Sequence, residues 1–370
     1  LATQNRWVLI DFWSSCCASC QRLGIVFERV ASRYKSSLLA TRNNIDQQEE
    51  IAKFFNVRTV PTLILLRDGE IVDKMVGHHA EYEPMKNSTQ QMIGVGLRSP
   101  HYEAALSSDV LVDFVEVHAE NFFADGGASL AVLDQAAARF PISLHATALG
   151  LGSKSGVVPQ YVQKLNRLVE RINPFLVSDH AAHAWSKHND VLQHAGDLLP
   201  LAFNEDSLDS LCENVEKLQH HLKSPILVEN ISAYVAFSNN TMSETDFLTS
   251  LTHRTGCGLL LDLNNLVVNA TNNEITTPIE YVSQWLESIP LTVVGEIHLA
   301  GCTLPPDGEL MIDDHSNHVS ETVWQAYRLA LKRFGATPTL IEWDSNLPSW
   351  ETLVAEAQLA RRISQEVLAS

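Results

Sequence analysis

Histidine and carboxylate residues recur where buried strands are expected to end. His118, His145, Glu229, Asp262, His298 and Glu342 each lie near the C-terminal end of a different apolar run. Asp313 and His315 add an Asp-x-His pair in a stretch that reads as a loop after the seventh run. Imidazole and carboxylate ligands without thiolate suit iron, manganese or zinc. Eight such groups are too many for one ion. Bridging carboxylates would let two or three ions share them, and the ions would offset the clustered negative charge. Asn265, His180, Glu116, Asn121 and Asn230 sit close to these positions and are expected either as further ligands or as groups that hydrogen-bond the ligands. Any one of the histidines is as readily a hydrogen-bonded core residue. The argument for a metal rests on the set.

A second constellation lies near the N-terminus, where Trp13-Ser-Ser-Cys16-Cys17-Ala-Ser-Cys20 runs from an expected strand into an expected helix. A Cys-x-x-Cys in that context places the first thiol at a helix N-terminus, which favours thiolate. Cys17 would then attack a disulfide and Cys20 would resolve the mixed disulfide. A Cys pair is also half of a zinc site, but no second pair is spaced to complete one.

The elements that must position these groups follow from periodicity. Eight buried strands are expected over Ile93–Arg98, Phe114–Asn121, Ile142–Thr147, Phe175–His180, Ile226–Asn230, Gly258–Asn265, Val293–Gly301 and Thr337–Asp344, each followed by a helical pattern. Leu208, Leu211, Val215, Leu218 and Leu222 mark one buried helical face, as do Val323, Ala326, Tyr327 and Leu331. Eight βα units fit a (β/α)8 barrel, typically ~250 residues, whose strand ends converge on one pocket. His183, His188 and His194 fall in a long loop after the fourth strand, and no role is assigned to them. Upstream, the pattern predicts strand 7–12, helix 17–34, strand 38–43, helix 48–55, strand 62–67, an Asp68-Gly69 turn and strand 71–76. The expected fold class is therefore α/β, with a small domain over 1–86 and a barrel over 93–370.

Composition narrows the function classes. With 44 acidic against 26 basic residues and a net charge of −18, the chain lacks the basic face of a nucleic-acid binder. No apolar run approaches the roughly 20 residues of a membrane span. Six cysteines in 370 residues do not make a disulfide scaffold, and the clustered three point to redox chemistry in a reducing compartment such as the cytoplasm. The sequence starts at Leu1 rather than Met, which leaves room for a lost targeting segment.

Residues from Trp7 to about His78 resemble thioredoxin, through Ile10-Asp-Phe-Trp13, the Cys pair, Asn44-Ile-Asp46 and Val60-Pro61-Thr62. The resemblance implies that Pro61 is a cis-proline facing the disulfide and that Asp11 is a buried carboxylate assisting proton transfer to Cys20. Arg42 stands where that family usually has lysine, Cys16 replaces the usual tryptophan, and Ala18-Ser19 replace Gly-Pro; the first βα unit is missing. From about Ile93 to Arg361 the chain resembles the multinuclear non-haem iron-dependent oxidases that modify peptides. The motifs are Gly94-Val-Gly-Leu-Arg98, Glu116-Val-His118-Ala-Glu-Asn121, Leu144-His145, Val228-Glu-Asn230, Leu261-Asp-Leu-Asn-Asn265, Glu296-Ile-His298-Leu-Ala-Gly301, Ile312-Asp-Asp-His315 and Ile341-Glu-Trp-Asp344. That resemblance implies two or three irons cycling between Fe2+ and Fe3+, O2 as co-substrate, and oxidation of cysteines in a ribosomally made precursor peptide that a separate partner protein presents. Related barrels also host sugar isomerases and phosphodiesterases. A redox adaptor with a non-catalytic barrel is the remaining alternative.

Overall fold

The computed structural model describes residues 7–369 apart from 15–16, 18–19, 21–22, 25–26, 28–30, 32–33, 36–37, 56, 58–59, 68, 77–90, 110–111, 190, 304–305 and 307–308. The chain divides into two compact units, one spanning Leu1–Glu81 with Arg254–Gly256 and the other Tyr82–His253 with Cys257–Ser370.

The first unit contains β1 (Trp7–Trp13), β2 (Leu38–Asn44), α1 (Glu49–Phe54), β3 (Thr62–Arg67) and β4 (Glu70–Val76), with sheet order β2-β1-β3-β4. β1 runs parallel to β2 and antiparallel to β3, and β3 pairs antiparallel with β4. Ile10 and Phe12 share one face of β1 and pack with Ile64, Leu66 and Ala52, while Asp11 between them is buried on the other face. Most of the helix expected over 17–34 lies outside the described residues, but Cys20, Leu23, Gly24, Phe27 and Ala31 are helical. Cys16, Asp68 and residues 84–90 of the boundary expected over 84–93 also lie outside them. Gly69 has φ +91°, as a tight turn between β3 and β4 requires.

The second unit is a closed barrel. Its strands are β5 (Ile93–Gly96), β6 (Phe114–His118), β7 (Ile142–His145), β8 (Leu176–His180), β11 (Leu227–Glu229), β12 (Gly258–Asp262), β13 (Val294–Leu299) and β16 (Thr339–Ile341). Every neighbouring pair is parallel, and β16 closes onto β5. Runs such as Gly258-Leu-Leu-Leu-Asp262 are buried throughout, as a strand covered on both faces must be. The helices are α2 (Tyr102–Ser107), α3 (Ala128–Arg139), α4 (Pro159–Ile172), α5 (Glu205–Leu222), α6 (Glu244–Thr255), α7 (Leu263–Asn272), α8 (Pro278–Ser288), α9 (Glu321–Phe334) and α10 (Trp350–Leu368). Pro159 and Pro278 open α4 and α8, where a missing N–H costs nothing. Asn204, Ser320 and Ser349 cap α5, α9 and α10 by accepting from backbone N–H groups. The expected buried faces of α5 and α9 are buried.

Two expected loops are strands. β9 (His183–His188) and β10 (Val191–Leu199) form an antiparallel hairpin, and β14 (Gly301–Thr303) pairs with β15 (Ile312–Asn317), which carries Asp313 and His315. Their polar residues hide the alternation that would mark a strand, because neither hairpin buries a full apolar face. Strands β6 and β12 also stop earlier than expected, at His118 and Asp262. The chain turns there into the 3-10 segment Ala119–Phe122 and into α7, capped by Asp262 itself.

Glu244 opens α6 and is half-buried, its Oε2 accepting from the Trp285 indole N–H at 2.8 Å. Burial pushes this carboxyl up to about 7, against the opposing indole hydrogen bond. The folded protein therefore holds a proton that the unfolded chain releases near pH ~4.3. That contribution is fully present at acid pH and lost as pH rises through about 7. Glu244→Gln should leave the melting temperature unchanged at about pH 4 and raise it at about pH 8, by the equivalent of roughly 1–3 kcal/mol. Thermal melts at the two pH values check this; equal effects at both would contradict it.

Candidate metal centre

Parallel strands in a barrel deliver their C-terminal residues to one mouth. Register places His118 beside His145, Glu229 beside His180, and Asp262 beside His298. Ligand atoms of His145, His180 and Glu229 lie within 4.8 Å of one another, as do those of Glu229, Asp262 and His298, and those of Asp262, His315 and Glu342. The three triads are linked through Glu229 and Asp262, the arrangement that bridging carboxylates need.

The distances are short but the hydrogen-bond geometry is not made. Glu229 Oε2 lies 3.4 Å from His180 Nε2 and 3.5 Å from His145 Nε2, and His298 Nδ1 lies 2.8 Å from Glu342 Oε2. Even so, Glu229 Oε2, Asp262 Oδ2, Asn265 Oδ1, His298 Nδ1 and His315 Nε2 are buried and have no hydrogen-bond partner. Buried polar atoms without partners cost a few kcal/mol each, roughly 1–3. Five of them aimed at one region fit a cation that would satisfy them together. His145 Nε2 and His180 Nε2 also face each other at 3.4 Å.

Charge tells the same story. Burial lifts Glu229 to about 8, helped by Asp262 and Glu342 and opposed by His180 and His298. Burial likewise lifts Asp262 to about 7. Burial would lower His180, but Glu229 and Asp179 override it and bring it to about 9. Such opposed shifts in one pocket are typical of functional sites. His315 has φ +42°, a strained conformation for a non-glycine residue, and its carbonyl accepts from Asp344 N at 2.9 Å.

Some expected residues are otherwise engaged. Arg98, buried between β5 and β16, donates through Nε and Nη2 to Asp344 Oδ1 at 2.9 and 2.7 Å, and lies 3.2 Å from Glu342 Oε1. Its Nη2 also meets His118 Nε2 at 2.8 Å. His118 still belongs to a group with Glu116 and Glu342 whose ligand atoms lie within 4.8 Å of one another, so the expected ligand stands beside both Arg98 and the carboxylates. Asp313 accepts from Asn264 Nδ2 at 2.7 Å and joins none of the linked triads, standing instead 2.8 Å from His315 Nε2. Asn230 uses both ends of its amide on the Asp262 backbone, each at 3.0 Å, and so braces β11 against β12. Asn265 donates to the Asn230 carbonyl and keeps Oδ1 free. Asn121 is exposed on its 3-10 turn and makes no hydrogen bond to the cluster among the described residues. Residue type and position alone do not separate an amide that braces from one that ligates.

Arg98, Glu296 and Asp344 belong to this network although only their neighbours were singled out as site residues. A signal for Glu296 was available: it lies two residues before His298, and a strand puts such residues on one face.

In the first unit, Cys17 and Cys20 are joined as a disulfide, and the Val60–Pro61 peptide is cis. Cys17 Sγ lies 3.8 Å from Val60 O and accepts from Cys20 N at 3.1 Å. Asp11 is fully buried and raised by burial, with Arg42 Nε at 2.8 Å opposing the shift. Arg42 also reaches Cys20 O at 3.3 Å and stacks over Trp13. Cys302 is half-buried, and burial together with Asp313 and Asp314 pushes its thiol up to about 11.

Comparison with known proteins agrees with this division. A sequence model of thioredoxin matches residues 1–90. One described as the RiPP precursor modification enzyme MbnB/TglH/ChrH matches residues 92–365. A UPF0276 protein of Paraburkholderia phytofirmans is 41% identical over 280 residues, covering 75% of this chain and 88% of the relative. UPF0276 protein VV3194 of Vibrio vulnificus is 42% identical over 273 residues, covering 73% and 91%. One from Caulobacter vibrioides is 41% identical over 269 residues, covering 72% and 92%.

Proposed function

Because the chain belongs to the MbnB/TglH/ChrH family of RiPP precursor modification enzymes, we propose that it oxidises cysteine residues of a ribosomally made peptide, using O2 and two or three irons at the barrel mouth. The observation that carries this reading is the convergence of unpartnered imidazole and carboxylate atoms on linked triads. His145, His180, Glu229, Asp262, Asn265, His298, His315 and Glu342 would hold the irons. Bound iron, cycling between Fe2+ and Fe3+, would supply O2 activation and a seat for the substrate thiolate. Arg98 steadies Glu342 and Asp344 and balances their charge. Asp313 steadies His315. Burial of the cluster keeps bulk water from the reacting sulfur. A separate partner protein would present the peptide. We place the reaction in the cytoplasm, a reducing compartment that would keep the substrate cysteines as thiols.

The enzyme incubated aerobically with a cysteine-containing precursor peptide and its partner should give an oxidised product by mass spectrometry. No mass change under O2 with iron-loaded protein would reject the reading.

The dithiol would keep the substrate cysteines reduced, since only a free thiolate can bind iron. Residues 1–86 would then serve the barrel domain over 93–370. Changing Cys17 and Cys20 to serine should slow turnover of a disulfide-linked peptide by at least about tenfold and spare a pre-reduced one. Equal rates on both peptides would contradict that role.

A further inference from the structure

A second polar layer lies beneath the proposed ligands. In a strand, residue i−2 shares the inward face of residue i, one pleat deeper. Glu116 stands two before His118, Ser143 two before His145, Ser178 two before His180, and Glu296 two before His298. All four are buried. Barrel interiors are ordinarily filled by branched apolar side chains, so four buried polar groups on the strands that carry the ligands require a task.

Their contacts supply one. Ser178 Oγ meets His145 Nδ1 at 2.7 Å, which leaves Nε2 of that ring facing His180 and Glu229. At His298 the ring is turned the other way. Its Nε2 faces down to Glu116 Oε2 at 3.3 Å, while Nδ1 faces Glu342 Oε2 at 2.8 Å and Glu229 Oε1 at 3.9 Å; neither ring nitrogen makes hydrogen-bond geometry, and the ligand atoms of Glu116, Glu296 and His298 also lie within 4.8 Å of one another. Ser143 Oγ lies 3.1 Å from both Glu116 Oε2 and Glu296 Oε2 and can donate its one proton to either carboxylate.

We infer that Glu116 is a positioning residue. It holds the Nε2–H of His298, so that His298 binds metal through Nδ1 whereas His145 binds through Nε2. Ser143 helps to fix Glu116 in place. The inference rests on the metal-site reading above. A carboxylate behind an imidazole fixes its tautomer and makes it a stronger ligand, and losing such a partner typically costs about 10–100-fold in metal affinity.

The test uses the full chain loaded anaerobically with Co2+ and proton NMR of the paramagnetically shifted ring signals. A ring bound through Nδ1 keeps both its N–H and its Cδ2–H away from the metal, so both are sharp. A ring bound through Nε2 has one sharp N–H and no sharp carbon-bound neighbour. His298, assigned by loss of its signals in His298→Ala, should show the paired pattern with a slowly exchanging N–H. Glu116→Ala should speed exchange of that proton and weaken Co2+ binding about 10–100-fold. Glu116→Gln, which keeps an acceptor oxygen, should recover part of both. An Nε2-type pattern for His298 would overturn the inference, as would weakened binding with unchanged exchange. A whole equivalent of Co2+ lost on Glu296→Ala would also overturn it, since the lower pocket would then be a metal site. Protein that takes up no Co2+ would overturn the metal-site reading itself, and this inference with it.

Discussion

Glu229→Gln is expected to remove metal binding and activity while leaving the metal-free protein folded. Glu229 faces His145, His180 and His298 at 3.5, 3.4 and 3.9 Å and joins two of the linked triads. A neutral amide keeps the shape but loses the anionic bridge. Metal affinity should drop by at least about 100-fold, and turnover should fall with it. Stability should move in opposite directions in the two forms. Metal-free, the variant should be as stable as the parent or more so, because one of several crowded buried carboxylates has lost its charge. With metal present the parent should be the more stable, because only it gains binding free energy on folding. Melting curves with and without metal check the crossing. A variant that melts lower in both forms would mean that Glu229 serves packing rather than a cation.

Arg98→Met is expected to cause the largest loss of stability. Arg98 is buried, and its fork holds Asp344 at 2.9 and 2.7 Å and stands 3.2 Å from Glu342. Burial would raise Asp344, and Glu342 adds to that, yet Arg98, His315 and His118 bring it down to about 2. Asp344 is 35% exposed and Glu342 keeps His298 and His315 beside it, so solvent screens part of the loss; removing the guanidinium and its charged hydrogen bonds should cost about 1.5–3 kcal/mol. Lysine should not restore the loss, because a point charge cannot reproduce the two-nitrogen grip on one carboxylate. Gly96 matters to the same contact. A Cβ at that position would stand 3.0 Å from Arg98 Nη1, so Gly96→Ala should push the fork away and show part of the same destabilisation. Urea unfolding of the three variants measures this. A change under about 1 kcal/mol for Arg98→Met would show that the network is loosely held.

Much of this was legible in the sequence, for physical reasons. The barrel strands are buried on both faces, so runs such as Leu259-Leu-Leu261 stand out from amphipathic helices such as α5. The ligand candidates were legible because a barrel delivers strand ends to one mouth. The hairpins β9–β10 and β14–β15 were not, since their strands lack an apolar alternation. The division of labour within the site was also hidden. His118 and His298 both follow a Glu-x-His pattern, yet Arg98 meets one ring and three carboxylates surround the other. Asn230 and Asn265 look alike in sequence, but one spends its whole amide on the Asp262 backbone while the other keeps an oxygen free. Those differences come from partners far away along the chain, which local pattern does not carry.

We propose that the barrel mouth is a multinuclear iron centre built from nitrogen and oxygen ligands. Anaerobic titration of the metal-free protein with Fe2+, followed by Mössbauer spectroscopy, tests it most directly. Two or more irons per chain are expected, all with nitrogen and oxygen ligation, unaffected by serine at Cys17 and Cys20, and reduced in number by Glu229→Gln. A single iron, iron bound through sulfur, or a count that Glu229→Gln leaves unchanged would contradict it.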